Sequence, residues 1–413
     1  MQPLVVEYLR THSAAELFAE HGVRLSPAKS RTYKASLNYD QIQARNDDPL
    51  ACECRGLVVA TRDGSPVQMD RPCGDLVVLA RPMDRFFNHG QGAAHVVTDE
   101  ELRDAVVYEK LDGTLCIVYY DPLYTSTVNP RLNGWCVATR SVPDADEPVD
   151  GFRDATFRSL FECAVLTAYK DTWVGFCAKL NPAMTYCFEL CSPRAGSGVV
   201  QYADNSPHLL AVRHNVTGAE VCATTVAGML GLVAAQSHEI SALDALLAFV
   251  EARPATQAEG VVVRLRGKGG SYPRVKFKSE GYRAAHGLSS EAGSSPRNLL
   301  RIILAGQWDD VAPTTRPHLR ERGDALTGAL RTWAVAVDAA YATLNADGKV
   351  EDRKTFAQAV QALGSRYPMG AMMAMWQGRV ANTAEWLQTQ RHPVHGWTDA
   401  FLDRLAEMIT VTS

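Results

Sequence analysis

The sequence predicts an α+β fold, an N-terminal domain with antiparallel sheets followed by an all-α C-terminal domain. Three observations carry the prediction. Over the first 285 or so residues, short runs rich in Val, Ile, Tyr or Cys, bounded by Gly, Pro, Asp or Asn, alternate with a few helical stretches. Their connections are hairpin-like, unlike the regular strand–helix alternation of a doubly wound sheet. Beyond His286 the strand signals vanish and apolar residues recur with helical periodicity.

In chain order, Arg55–Thr61, Leu76–Ala80, Val106–Glu109, Thr114–Tyr120, Trp135–Thr139 and Tyr186–Leu190 read as strands. So do Leu209–Arg213, Gly260–Leu265 and Arg274–Lys278. Ala155–Ala168 and Ile240–Ala252 show helical spacing, the second with Ser241 and Asp244 as first-turn signals. Gly287–Pro296 is rich in Gly and Ser and reads as a linker. Helices follow over Asn298–Gly306, Arg316–Ala346, Glu351–Gly364, Ala371–Gly378, Ala381–Arg391 and Asp399–Thr410. The expected domains are residues 1–286 and 287–413.

At 413 residues the chain has ample length for a large core. Its 42 basic and 46 acidic residues give a net charge of −4, so a nucleic-acid partner must meet a local basic groove. The longest apolar runs, such as Met229–Ala235, are too short to span a bilayer, and no membrane association is expected. The opening MQPLVVEYLR lacks a basic segment followed by an apolar one, so a soluble cytoplasmic protein is expected. Ten cysteines lie between Cys52 and Cys222 without zinc-finger spacing, and read as free, buried thiols. The block after residue 286 carries thirteen basic and thirteen acidic residues, so bulk attraction to phosphate is not its device.

The sharpest local signal is Glu109-Lys110-Leu111-Asp112-Gly113-Thr114 between two strands. Alone it fits an ordinary hairpin with a solvated lysine. It also fits a nucleophilic lysine that attacks the α-phosphate of a nucleoside triphosphate. An amine attacks only when neutral, and at an ordinary lysine pKa of ~10.4 about one in a thousand is neutral near pH 7.5. Nearby positive charge and desolvation lower that barrier. Lys276 and Lys278 alternate on one strand and project from one face, either as solvated edge residues or as a triphosphate cradle. Glu189, in the strand-like Tyr186–Cys191, and Glu259, before Gly260-Val-Val-Val263, offer carboxylates for metal-bound water or a ribose hydroxyl.

The order Lys-x-Asp-Gly, Phe-Glu, Glu-Gly-Val-Val-Val, Lys-x-Lys resembles the motifs of covalent nucleotidyltransferases, which comprise RNA ligases, DNA ligases and mRNA capping enzymes. Flanking words narrow the resemblance. Asn38-Tyr39-Asp40, Glu53-Cys54-Arg55-Gly56 and Arg81–Asn88 precede the lysine. Phe188–Pro193, Lys276–Tyr282, His286, Asp352–Thr355 and Trp376-Gln377-Gly378 follow it. Together they resemble the phage RNA ligase 1 family, the tRNA-repair ligases of T-even phages. DNA ligases and capping enzymes carry an OB barrel where this chain reads helical.

The resemblance implies Lys110 as nucleophile within the Lys110-x-Asp112-Gly113 motif, Lys276 and Lys278 on the phosphates, and Glu189 and Glu259 on ribose or metal-bound water. It places Arg55, Phe87, Tyr39, Arg85, Arg140, Gly113 and Gly260 in or beside the nucleotide pocket. Arg85 and Arg140 stand where the family has lysines, and arginine brings a planar fork in place of a point charge. Tyr282 and Asp309 or Asp310 match positions associated with metal. The implied cofactors are ATP and Mg2+ or Mn2+. The implied substrates are RNA ends with 5′-phosphate and 3′-hydroxyl, a nicked tRNA among them, in a host cytoplasm if the gene is a phage's. No Gly-x-x-x-x-Gly-Lys-Ser/Thr loop occurs in the chain, so ends lacking a 5′-phosphate need a separate kinase or phosphatase. The alternatives are another polynucleotide ligase, a capping-type enzyme, or a ligase homologue that binds RNA without catalysis.

Overall fold

The computed structural model describes residues 2–40, 43–90, 94–124, 134–145, 148–149, 152–193, 199–267, 272–287, 295–304, 308, 312, 317–346, 350, 352–391 and 397–410. Its strands begin with β1 (Val23–Pro27), β2 (Lys34–Tyr39), β3 (Arg55–Thr61), β4 (Leu76–Ala80), β5 (Phe87–Asn88), β6 (Val106–Lys110), β7 (Thr114–Tyr120) and β8 (Trp135–Ala138). They continue with β9 (Pro148–Val149), β10 (Phe152–Thr156), β11 (Met184–Cys191), β12 (Ser206–His214), β13 (Glu220–Val221), β14 (Ser237–His238), β15 (Gly260–Arg264) and β16 (Arg274–Lys278). The first four form a sheet in sequence order. A second sheet runs β13-β12-β11-β7-β8, a third β14-β6-β15-β16-β5, and β9 pairs with β10. The pairings are antiparallel except for the short parallel contact of β16 with β5, an exception the sequence did not predict.

The chain divides into two compact units, Met1–Ser279 and Glu280–Ser413. In the first, each sheet buries what its two-residue alternation dictates. One face of the first sheet, with Leu37 and Leu57, packs on Val5, Val6 and Leu17 of the helices Leu4–Tyr8 and Ala14–His21. Its other face, with Val58 and Ala60, meets Leu115, Ile117 and Tyr119 of β7. The opposite face of β7 and β11, with Cys116, Val118 and Phe188, packs on Phe161 and Val165 of the helix Phe157–Tyr169. The second sheet is therefore buried on both sides.

The third sheet is different. Val107, Val261, Val263, Val275 and Phe277 pack with Leu246 and Val250 of the helix Leu243–Glu251. The alternate residues on the same strands, among them Lys110, Val262, Lys276 and Lys278, project from the opposite face. One face is core and the other is free for chemistry.

A buried ion network fastens the first sheet to the second. Lys34, on β2, is fully buried, and its ammonium donates to Asp121 Oδ2 at 3.0 Å and to Tyr119 Oη at 3.0 Å. It also pairs with Asp144 Oδ1 at 2.9 Å, while Arg31 pairs with the same carboxylate at 2.9 Å. β1 and β2 carry no strand prediction, because Lys34 and Ser36 make β2 read as polar although both are buried.

The second unit contains the described helices Glu280–Gly287, Pro296–Leu304, Pro317–Leu344, Arg353–Ala362, Met369–Trp376, Thr383–Thr389 and Asp399–Thr410. They enclose Leu300, Trp333, Val337, Phe356, Met372, Leu402 and Leu405. Residue 286, where the first domain was expected to end, lies near the end of a helix that belongs to this second unit. Asp309 and Asp310, and most of the Gly/Ser-rich linker, lie outside the described residues. All ten cysteines are unbridged; Cys163 is exposed and Cys52 and Cys222 are half-buried, so these three depart from the expectation of burial. Among the described residues no helix is long and apolar enough to cross a membrane.

Candidate active site

Three adjacent strands bring the motif residues into one row. Gly260, at the start of the central strand β15, is paired with Lys110 at the end of β6 and with Lys278 at the end of β16. The carboxylate of Glu259, one residue earlier and only 3% exposed, accepts from both ammonium groups: Lys110 Nζ to Oε2 at 2.5 Å, Lys278 Nζ to Oε1 at 2.7 Å. Only glycine fits at 260. Its φ is +143°, and an added Cβ would lie 2.0 Å from the carbonyl oxygen of Phe277.

The Asp112-Gly113 turn after Lys110 is held from the second sheet. Gly113 N–H donates to Glu189 Oε1 at 3.0 Å. A Cβ on Gly113 would meet the carbonyl oxygen of Leu190 at 2.4 Å, so the glycine permits close approach of the turn to β11. Asp112 is buried; its N–H donates to Tyr202 Oη at 3.0 Å and its carboxylate accepts from the N–H of Val200 at 3.2 Å. Asp112 thus anchors the turn that presents the lysine.

The electrostatics follow from this crowding. Lys276 lies on the same face as Lys278, and its pKa is lowered to about 7. Burial is the main cause, followed by the charges of Lys110, Arg55 and Lys278, with Glu259 opposing. The Glu189 carboxyl is raised to about 7, again mainly by burial, against the favourable charges of Lys110 and Arg55. Burial also lowers the pKa of Arg55, and its buried Nη1 has no hydrogen-bond partner among the described residues. Lys110, Lys276, Lys278 and Arg55 thus gather near Glu189 and Glu259, an excess of basic groups that suits a polyanionic ligand.

A cavity of about 410 Å3 opens here, lined by Arg55, Phe86, Lys110, Gly113, Arg140 and Glu189 together with Glu109, Arg274, Thr114, Thr139, Ser141 and apolar side chains; Glu259, Lys276 and Lys278 are not in its lining. That is within the range of a small-molecule site. Phe86 was not singled out in the sequence: its ring lies 4.9 Å from Lys276 Nζ and 5.3 Å from the Arg55 guanidinium. Phe87, Arg85 and Tyr39 instead form a stack beside the cavity. The Arg85 guanidinium is 4.2 Å from the Tyr39 ring and 5.0 Å from the Phe87 ring, and it donates to the Ala44 carbonyl at 3.3 Å. Arg140 links the two groups, lining the cavity while its guanidinium lies 5.8 Å from Tyr39. Successive residues of an extended segment face opposite ways, so only one of the two adjacent phenylalanines can serve the cavity.

Glu189 and Glu259 offer the hard oxygen ligands that Mg2+ takes one or two at a time, completing its shell with water and phosphate oxygens. Among the described residues no group of three or more His, Cys, Asp or Glu could hold a metal. Tyr282 is buried in a helix of the second unit, its ring 5.8 Å from that of His286.

The two-sheet scaffold with a lysine, a glutamate and a second lysine on one row is that of a nucleotidyltransferase-type ligase. A family model described as RNA ligase, of the phage RNA ligase 1 type, matches residues 53–282, more than half of the chain. The chain belongs to that RNA ligase family. It is 27% identical, over 296 residues, to a bifunctional polynucleotide kinase/RNA ligase of Autographa californica nuclear polyhedrosis virus. The match covers 69% of this chain and spans only 38% of that relative's length. Among solved structures, an archaeal ATP-dependent RNA ligase is 12% identical, with 88% of this chain and 90% of that one covered and a TM-score of 0.43. A Naegleria gruberi RNA ligase mutant with AMP and Mn is 14% identical, covering 45% of this chain and 52% of its own, with a TM-score of 0.32.

Proposed function

We propose that the chain is an ATP-dependent RNA ligase that joins a 3′-hydroxyl to a 5′-phosphate through a lysyl-AMP intermediate. The observation that carries this reading is the row Lys110–Gly260–Lys278 with Glu259 between the two ammonium groups, its Lys110 lining a cavity that Arg55 and Arg140 also line. Lys110 Nζ attacks the α-phosphorus of ATP. An N–P bond forms, the P–O bond to pyrophosphate breaks, and the amine must shed a proton; Glu259 is the carboxylate within reach. Lys276, Lys278 and Arg55 offset charge on the phosphate oxygens. The RNA 5′-phosphate then takes the adenylyl group and frees Lys110, and a 3′-hydroxyl displaces AMP to close the phosphodiester. Mg2+ or Mn2+ would be held by Glu189 and Glu259 and supplies Lewis-acid stabilisation of phosphate charge.

Residues 1–286 carry this chemistry and residues 287–413 position the RNA, a nicked tRNA being the substrate the family resemblance suggests. Ends without a 5′-phosphate need a kinase first, an activity that the baculovirus relative carries in its name. Incubation with α-labelled ATP and Mg2+ tests the reading. Wild type becomes labelled, whereas Lys110→Ala does not, and Lys110→Arg fails as well because guanidinium is not deprotonated. Label persisting on Lys110→Ala rejects the nucleophile.

A further inference from the structure

Glu109 immediately precedes the proposed nucleophile, and the chemistry above gives its side chain no part. On β6 it shares a face with Val107 and is paired with Val261 of β15, so it points to the core side of the third sheet while Lys110 points to the other. Its carboxylate is firmly engaged there: Oε2 accepts from Arg253 Nη1 at 2.5 Å and from His238 Nε2 at 2.9 Å. We propose that Glu109, gripped by Arg253 and His238, is a positioning residue for Lys110, an inference that rests on the RNA ligase reading and adds to it the device that aims the nucleophile.

The end of β6 has unequal support on its two sides. On one side β15 pairs with it to the last residue, Gly260 opposite Lys110. On the other, β14 pairs Ser237 with Tyr108 and His238 with Val107, and past them the Glu109 N–H donates to the Gln236 carbonyl at 2.7 Å. Lys110 thus sits where the ladder runs out on one side, and element ends are where local opening costs least. The Glu109 carboxylate closes that side with two charge-assisted bonds, the stronger kind. Its partners are fixed in turn. The His238 ring packs 4.8 Å from that of Phe249, and the Arg253 guanidinium lies 5.2 Å from the same ring. Phe249 belongs to the helix Leu243–Glu251, whose Leu246 and Val250 are in the core of the sheet.

Neighbouring side chains of a strand are opposite arms on one backbone. A rotation of the strand end that frees the Glu109 arm swings the Lys110 arm away from Glu259, the acceptor of its ammonium. Attack on phosphorus needs the reacting atoms about 3–3.5 Å apart, and a displacement of about 1 Å costs on the order of 10²-fold in rate. An ion pair that served folding alone would lower the melting temperature and leave the chemistry of the folded molecules untouched.

The test compares single-turnover adenylylation at saturating ATP with affinity for α,β-methylene-ATP, in the full chain. Glu109→Ala should slow adenylylation about ten- to hundred-fold while that affinity stays within about two-fold of wild type. Glu109→Gln, which keeps an acceptor for Arg253, should recover most of the rate. Arg253→Met should slow the step as well, and Arg253→Lys should restore it. Glu109→Ala combined with Arg253→Met should be no slower than Glu109→Ala alone, because both act through one contact. The proposal is overturned if Glu109→Ala or Arg253→Met adenylylates at the wild-type rate, if rate and affinity fall together, or if Glu109→Gln is no faster than Glu109→Ala. Arg253 is the more exposed of the pair, so its variants decide should Glu109→Ala fail to fold. Trace acetylation of Lys110, read by mass spectrometry, stands outside the reaction. It should rise in Glu109→Ala as the ammonium leaves Glu259, and unchanged acetylation overturns the positioning. Absence of label on wild type would reject the ligase reading and leave acetylation to judge Glu109.

Discussion

ATP binding at pH 8 should draw a proton onto Lys276. Burial, with Lys110, Arg55 and Lys278 nearby, holds this group at about 7 in the free protein. At pH 8 such a group is about nine-tenths neutral. Triphosphate oxygens beside it favour the ammonium, so binding restores the charge. The expected uptake through Lys276 is about 0.9 proton per nucleotide at pH 8, falling to about 0.1 at pH 6. Calorimetry with α,β-methylene-ATP, in buffers of differing ionisation enthalpy, reads this number without turnover. Any contribution of Glu189 survives in Lys276→Met, so the difference between the two proteins isolates the lysine. The same shift works against stability. The unfolded chain binds more protons than the native one between about pH 7 and the ordinary lysine value, so the penalty is full below pH 7 and fades as pH rises through that window. Lys276→Met should therefore melt higher than wild type at pH 6, by about 5 kcal/mol in stability, and the gap should narrow towards pH 10. Equal proton uptake by wild type and variant at pH 8 would refute the reasoning.

Three further outcomes follow from particular contacts. Gly260→Ala places a Cβ 2.0 Å from the Phe277 carbonyl at a φ of +143°, and should cost about 3 kcal/mol or more, read as a melting temperature several degrees lower; an unchanged melting curve would mean that β15 relaxes freely. Lys34→Met leaves Asp121 and Asp144 without the buried ammonium and should cost about 3–5 kcal/mol by urea unfolding; a loss below about 1 kcal/mol would make the network dispensable. Glu259→Gln removes the charge shared by Lys110 and Lys278 and should slow single-turnover adenylylation by about 10²–10³, whereas a wild-type rate would remove Glu259 from the chemistry.

The sequence made the strands around the site legible because each carries a dense apolar alternation. Arg55–Thr61, Thr114–Tyr120 and Arg274–Lys278 lie where their patterns put them. β2 was not legible, since Lys34 and Ser36 are buried by partners that lie about a hundred residues away in sequence, Asp121, Asp144 and the Ser141 carbonyl among them. A local window registers the lysine as solvent-facing. The same limit applies to the pocket. Lys110, Glu259, Lys276 and Lys278 could be ordered along the chain, and the register of β6, β15 and β16 makes them neighbours. Phe86 could not be told from Phe87, because the choice depends on which way a two-residue strand turns its faces. Tyr202 could not be read either; its role rests on hydrogen bonds to the backbone of Asp112 and to the Cys191 side chain.

The Lys110–Gly260–Lys278 row has a bearing on how this site can change over evolutionary time. Its spacing is set by the hydrogen-bond lattice of a sheet, with the outer two backbones about 10 Å apart across the central strand. Such a ruler tolerates exchange of side chains but not of length. Inserting or deleting one residue in β6 or β16 would turn their lysines into the Val261–Phe277 core, and in β15 would turn Val261 and Val263 out of it. Variation in loop length is far cheaper than this. Descendants of this chain are thus free to lengthen their loops, while the three strands must keep their residue count.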